Sequence, residues 1–89
     1  MDLEGHIVEL TQLRYFQTAA YYQHISRAAE ELNISQPALS TMISRLEKEL
    51  GVPLFDHNGR SIILNQNGQR FLQRVNHILM EVENSKREL

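Results

Sequence analysis

Gln36, Ser40, Thr41, Ser44, Arg45 and Lys48 recur along one helical stretch, Gln36 to Leu50, and carry hydrogen-bonding and cationic groups rather than a catalytic set. At about 100° per residue, with Leu39 turned inward, Pro37, Thr41, Ser44 and Lys48 turn outward, and Gln36, Ala38, Ser40 and Arg45 flank them. Their chemistry suits a groove of double-stranded DNA. A glutamine amide offers the donor–acceptor pair that matches adenine, hydroxyls bond a base edge or a phosphate, and small apolar groups meet a thymine methyl. Gln36, Pro37, Ala38, Ser40 and Thr41 are therefore the predicted base-contacting residues. Arg27, Ser35, Ser44, Arg45, Lys48, His57 and Arg60 are the predicted contacts to the DNA backbone.

Such a face needs elements to hold it. Ala28, Ala29 and Leu32 mark a short helix over about Ser26–Leu32, and Leu39, Met42, Ile43, Leu46 and Leu50 give the longer one the spacing of a single buried face. Ser35 can cap the longer helix, Pro37 fits its first turn, and Gly51 with Pro53 ends it. Asn33 stands in the connecting turn, where a left-handed backbone is expected. Two helices meeting at a tight turn are the unit that lays a helix in the major groove. Spacing alone equally allows an ordinary helical hairpin inside another bundle.

Upstream, Leu10–Tyr22 reads as a first helix starting near a Thr11 cap, with Leu13, Phe16 and Ala20 turned to the core. Tyr15 and Tyr22 fall on the other face, either packed on another helix of the same chain or at a dimer contact. Gln23-His24 breaks the pattern before the second helix. Residues 1–9, with Asp2, Glu4, Gly5 and Glu9, read as a leader without stable helix.

Downstream, Asn58-Gly59 between Leu54-Phe55 and Ile62-Ile63-Leu64 predicts a two-stranded hairpin, a wing with Arg60 at its tip beside His57. Asn65 caps a last helix over about Gln66–Glu88. Gly68 lies in its first turn, where glycine weakens a helix by up to ~1 kcal/mol relative to alanine, which implies close approach to another element or to a phosphate. Phe71, Val75, Ile78 and Val82, widened by Leu72 and Leu79, form an apolar seam. Its first half is expected to pack on the same domain and its second half on another subunit, so Phe71, Val75, Ile78, Leu79 and Val82 are the predicted dimerisation residues.

Composition narrows the classes. The chain has 89 residues, enough for one small domain, and no cysteine, hence no disulfide framework and no thiolate metal site. No apolar run is long enough for a membrane helix. The four histidines show no ligand spacing, and no nucleophile–base pair, phosphate loop or dinucleotide fingerprint is present. The residues thus point to no enzyme, metal or cofactor. Glu30, Glu31, Glu47 and Glu49 read as a solvated helix face. Net charge is −2, of which residues 1–9 hold −3 and residues 10–89 +1. Phosphate attraction per monomer is then modest, and affinity must come from a few placed cations and from dimerisation. The alternative is a helix-turn-helix interaction or dimerisation module that binds no DNA.

The residues Leu13-Arg14-Tyr15-Phe16, Ser26-Arg27-Ala28-Ala29, Leu32, Ile34-Ser35-Gln36-Pro37-Ala38-Leu39-Ser40, Ile43, Leu46-Glu47, Leu50-Gly51, Leu54-Phe55, Arg60 and Leu64 with Gly68 resemble the N-terminal domain of LysR-type transcriptional regulators. The resemblance covers roughly residues 10–89. It implies a mainly α fold: a winged helix-turn-helix of three helices and a two-stranded β wing over residues 10–64, then a long linker and dimerisation helix over residues 65–89. It further implies a bacterial, cytoplasmic regulator that binds an interrupted dyad in promoter DNA as a homodimer, or as a tetramer in the full-length protein. Family members continue into a small-molecule-binding domain beyond the linker helix, so an effector is expected to act only through that domain. Two positions depart from the family pattern. His57 stands where arginine is usual, which exchanges a fixed charge for a titratable one, and Asn65 stands where threonine or serine is usual, an exchange that preserves the cap.

Overall fold

The computed structural model describes residues 8–59 and 61–89. Four helices and one hairpin follow in the order α1 (Leu10–Tyr22), α2 (Ile25–Leu32), α3 (Gln36–Leu50), β1 (Phe55–Asn58), β2 (Ser61–Leu64) and α4 (Gln66–Glu88). The reading of residues 1–9 as a leader falls outside the described residues except at its last two.

Each boundary has a local cause. α1 begins two residues earlier than a Thr11 cap would place it. Glu9 is the cap residue, and the Gln12 side-chain oxygen accepts its backbone N–H at 3.0 Å, closing a reciprocal box. Gln23 ends α1 in a left-handed conformation (φ 49°), and the His24 ring nitrogen Nδ1 accepts the Arg27 N–H at 3.3 Å, so α2 starts at Ile25. Asn33 turns left-handed at φ 56° between α2 and α3, as the turn demands. Ser35 Oγ then accepts the Ala38 N–H at 3.2 Å.

One core serves all the elements. Phe16 and Ala19 of α1, Ala28 of α2, Leu39 and Leu46 of α3, Leu54 before the hairpin, Ile62 of β2 and Val75 of α4 are all essentially sealed from solvent. The Phe16 ring meets Phe55 at 5.6 Å and Phe71 at 5.2 Å, both tilted, which joins the wing and α4 to α1 through one side chain. Tyr15 and Tyr22 pack against this core from its edge, in keeping with contact inside the chain. Val75 is fully buried within its own chain and Phe71 stacks on Phe16, so the start of the α4 seam faces inward. Val75 is not a surface residue of the kind a dimer contact needs, and Phe71 is half-buried against the core. The reason is length: the first turns of α4 lie over α1, and only the later turns run past the core.

The hairpin is antiparallel with Phe55 opposite Leu64 and Asn58 opposite Ser61. The two intervening positions are therefore Gly59 and Arg60, one residue later than the Asn58-Gly59 expectation. Gly59 takes the left-handed conformation (φ 63°) that suits glycine, while Asn58 stays in the strand. Arg60 itself lies outside the described residues.

Candidate nucleic-acid interface

α3 buries Leu39, Ile43 and Leu46 and leaves Gln36, Pro37, Ala38, Ser40, Thr41, Ser44, Arg45 and Lys48 exposed. The 3.6-residue period alone produces this division, because the buried positions fall on one side of the helix. The outward face reads as two surfaces. Gln36 and Ser40 open onto a concavity of about 560 Å³ bounded by Ile25 and Ser26 of α2, His57 and Ile62 of the wing, and Gly59 at its tip. Ser40, Thr41, Ser44, Arg45 and Lys48 line a shallower one of about 280 Å³ further along the helix.

The wing is held in place by polar straps from three elements. The Glu47 carboxylate of α3 accepts the Leu54 N–H at 2.6 Å and the Phe55 N–H at 3.4 Å. The Gln23 carbonyl accepts the Ile62 N–H at 3.3 Å, and its side-chain Oε1 accepts the Leu64 N–H at 3.2 Å. His24 forms a bridge with Ser61, which extends the hairpin to the α1–α2 turn. The Asn65 side-chain amide donates to the Pro53 carbonyl at 3.0 Å while its oxygen accepts the Gly68 N–H at 2.8 Å, so one residue ties the wing entry to the start of α4. Glu47 thus positions the wing instead of lying on a solvated face. Glu47→Ala leaves two backbone donors without their acceptor and is expected to lose about 1.5–3 kcal/mol of stability; urea denaturation checks this, with the exposed Glu30→Ala as the control expected near zero.

The sequence-predicted residues divide accordingly. Gln36, Ser40 and His57 meet in one concavity, and Ser40, Thr41, Ser44, Arg45 and Lys48 share the other. Pro37 and Ala38 are exposed in the first turn of α3, and Ser35 is exposed while its oxygen caps that helix. Arg27 is exposed on α2. The placement of Arg60 at the wing tip falls outside the described residues. Arg27, Arg45 and Lys48 carry no carboxylate partner, the single ion pair among the described residues being Lys86 with Glu83. Sequence reasoning passed over Ile25, Ser26 and Ile62, which complete the wall of the first concavity. The pairing of His24 with Ser61 that brings them there has no sequence signal. Ser26, next to Arg27 at the start of α2, was within reach of a helix-terminus argument. At the far end of the chain, Ile78 is 40% exposed and Leu79 and Val82 are half-buried, so the seam beyond Val75 keeps surface available.

Three helices with a tight turn before the exposed one, and a wing strapped beside it, define a winged helix-turn-helix. A family model described as a bacterial regulatory helix-turn-helix protein of the lysR family matches residues 10–69. The chain belongs to that family. It is 55% identical over 82 residues to the HTH-type transcriptional regulator YybE of Bacillus subtilis (strain 168), covering 92% of this chain and 28% of that protein. It is 44% identical over 79 residues to the Hca operon transcriptional activator HcaR of Escherichia coli (strain K12), covering 89% of this chain and 27% of that one. Among solved structures, the DNA-binding domain of CbnR in complex with DNA superposes with a TM-score of 0.87 at 33% identity, over 91% of this chain and 93% of that one. The BenM DNA-binding domain bound to catB site 1 DNA gives 0.86 at 34% identity, over 91% and 90%. The curated relatives named above are thus more than three times as long as this chain.

Proposed function

We propose that this chain is the sequence-specific double-stranded DNA-binding part of a bacterial transcriptional regulator and acts as a homodimer on promoter DNA. The observation that carries the proposal is the outward face of α3. It presents Gln36, Ser40, Thr41, Ser44, Arg45 and Lys48 to solvent, unpaired, beside a wing whose position is fixed by hydrogen bonds. The first two turns of α3, with Gln36, Pro37, Ala38, Ser40 and Thr41, read base edges in the major groove. Arg27, Ser35, Ser44, Arg45 and Lys48, with His57 on the wing and with Arg60, hold the backbone and set the register. The likeness to domains solved on DNA supports the same docking. The interaction-module alternative draws on the near-neutral charge, but the outer face of α3 carries none of the large aromatic anchors that a protein contact uses.

The dimer reading rests on α4. Its 23 residues extend about 34 Å at ~1.5 Å per residue, and beyond Val75 no residue of the helix is fully buried. Ile78, Leu79 and Val82 lie along those later turns and pair with the same turns of a second copy. Residues 10–64 act as the DNA-reading unit and residues 65–89 as the linker between copies. Regulation by an effector, and the four-copy assembly, belong to regions of a longer regulator.

Selection of bound sequences from a random duplex pool tests the proposal and returns the half-site spacing together with the sequence. Gln36→Ala is expected to lose about 1–3 kcal/mol on the selected site and to relax preference at one base pair. An equal loss on selected and random duplexes removes Gln36 from base reading. Affinity that does not fall with added salt removes the phosphate contacts altogether.

A further inference from the structure

A third concavity, of about 410 Å³, opens on another side of the molecule. α1 contributes Gln17, Thr18, Tyr21 and Tyr22, α2 contributes Glu31, and α4 contributes Leu72 and Asn76. None of these residues lines either surface of α3. Asn76 stands roughly 200° around α4 from Ile78, and about 60° from Leu79 one turn further on, at 3.6 residues per turn, so a copy seated on Ile78 and Val82 leaves the α1 and α2 walls of the concavity open. Neither the DNA reading nor the dimer reading uses it.

Its chemistry is specific. Tyr21 is 80% exposed, an unusual place for a large aromatic, and it is held rather than free. Its ring meets Tyr22 edge to face, at 5.0 Å and 83°. The Glu31 carboxylate lies against the Tyr22 hydroxyl, and partial burial followed by that carboxylate raises the phenol above its ordinary pKa. No lysine or arginine lines the site, and Glu31 forms no ion pair. Part of the donor capacity is already spent. The Thr18 hydroxyl donates to the Arg14 carbonyl at 3.0 Å, and the Gln17 amide donates to Asn76 at 2.8 Å. Oxygen acceptors therefore remain: the Glu31 carboxylate, the Gln17 carbonyl and the Thr18 oxygen. The site is short of positive charge, rich in acceptors, and walled by an aromatic ring.

We infer that this concavity is a docking site for an arginine side chain on a partner protein. A guanidinium has five donors and no acceptor, is planar, and stacks on aromatic faces. Over Tyr21 it gains a cation–π contact, against Glu31 an ion pair, and along Leu72 cover for its methylene stem. Lysine matches less well, since a compact ammonium does not stack and cannot span acceptors on two helices. The partner approaches over Tyr21 and Glu31, from the α1–α2 side of the concavity, which neither surface of α3 uses.

Nuclear magnetic resonance titration of the isotope-labelled 89-residue chain with Nα-acetyl-arginine amide tests the site directly. Saturable shifts are expected at the amides of Thr18, Tyr21, Tyr22 and Glu31 and at the side-chain amides of Gln17 and Asn76. Tyr21→Ala and Glu31→Gln are each expected to weaken binding about 2–5-fold, as loss of an exposed cation–π contact or charge partner does. Both side chains are exposed, so the variants keep the fold, and an unchanged thermal melt verifies this. Shifts spread evenly over Glu81, Glu83 and Glu88, or unaltered in the two variants, overturn the site. Equal binding of Nα-acetyl-lysine amide overturns the assignment to arginine. Unchanged DNA affinity in both variants is the expected companion result, and its loss overturns the separation of this surface from the DNA face.

Discussion

Gly68→Ala is expected to lower the melting temperature by roughly 5–15 °C, as a net loss of about 1–2 kcal/mol does in a domain of this size. In an exposed helix the same change helps, because alanine is a better helix former by up to ~1 kcal/mol. Here a β-carbon would fall onto the Leu54 carbonyl oxygen and within 2.6 Å of a Leu64 methyl. The methyl can rotate aside, but the carbonyl is fixed. It accepts the Asn65 N–H at 3.0 Å, and the Leu54 N–H on the same residue is tied to Glu47 at 2.6 Å. To make room, α4 must lift off the wing entry or one of these bonds must break. Overpacking of this kind costs about 1–3 kcal/mol and sometimes more, enough to outweigh the gain in helix propensity. Thermal unfolding followed by circular dichroism reads the outcome. An alanine variant that melts at or above the parent temperature would show that the wing entry and α4 are not locked together.

The same glycine shows where sequence reasoning reaches and where it ends. Glycine in a first helical turn, directly after an asparagine cap, pointed to a close approach; it did not say to what. The answer, Leu54, depends on how the segment after α3 is folded back, and that path is set by Glu47. Side-chain chemistry alone left Glu47 among solvated acids, because nothing in its spacing separates a carboxylate facing water from one facing two backbone amides. The helices themselves were legible to within a residue or two. Caps at Ser35 and Asn65 and the left-handed turn at Asn33 are local events written in single residues. The hairpin was legible as an element but its turn was displaced by one. The Asn58-Gly59 pair signals a turn strongly, yet pairing of Phe55 with Leu64 sets the register from the buried face of the wing, and burial outweighs turn preference. The concavity beside α3 was half legible. Gln36, Ser40 and His57 are readable as groups, but the wall built from Ile25, Ser26 and Ile62 exists only because the α1–α2 turn pairs with the wing. Tyr21 carries no signal of its own in the sequence, since its neighbour Tyr22 packs against the core while Tyr21 stays 80% exposed.

The apolar seam of α4 makes a division of labour that one substitution separates. Phe71 and Val75 belong to the core of their own chain, whereas Ile78 keeps 40% of its surface in solvent three residues further on. Glutamate at Val75 would unfold the domain and report nothing about assembly. Glutamate at Ile78 meets water in the monomer and, across a two-fold contact, another glutamate in a dimer, with both carboxylates stripped of solvent. Ile78→Glu is therefore expected to yield a folded monomer by sedimentation, with the melt of the parent at low concentration. Its DNA affinity should separate in the same way. On a duplex carrying two half-sites, loss of the second, tethered contact removes the avidity of a linked pair, about 10²–10⁴-fold. On a duplex with a single half-site, where one copy reads alone, Ile78→Glu and the parent should bind alike, because Gln36, Ser40, Thr41 and the cations around them are untouched. That comparison bears directly on the small net charge of the chain. Each copy offers few cations, and a regulator built this way gains its hold by doubling a weak contact instead of strengthening it. If Ile78→Glu sediments as a dimer, or if it binds two half-sites as tightly as the parent while monomeric, the seam beyond Val75 is not what joins the copies.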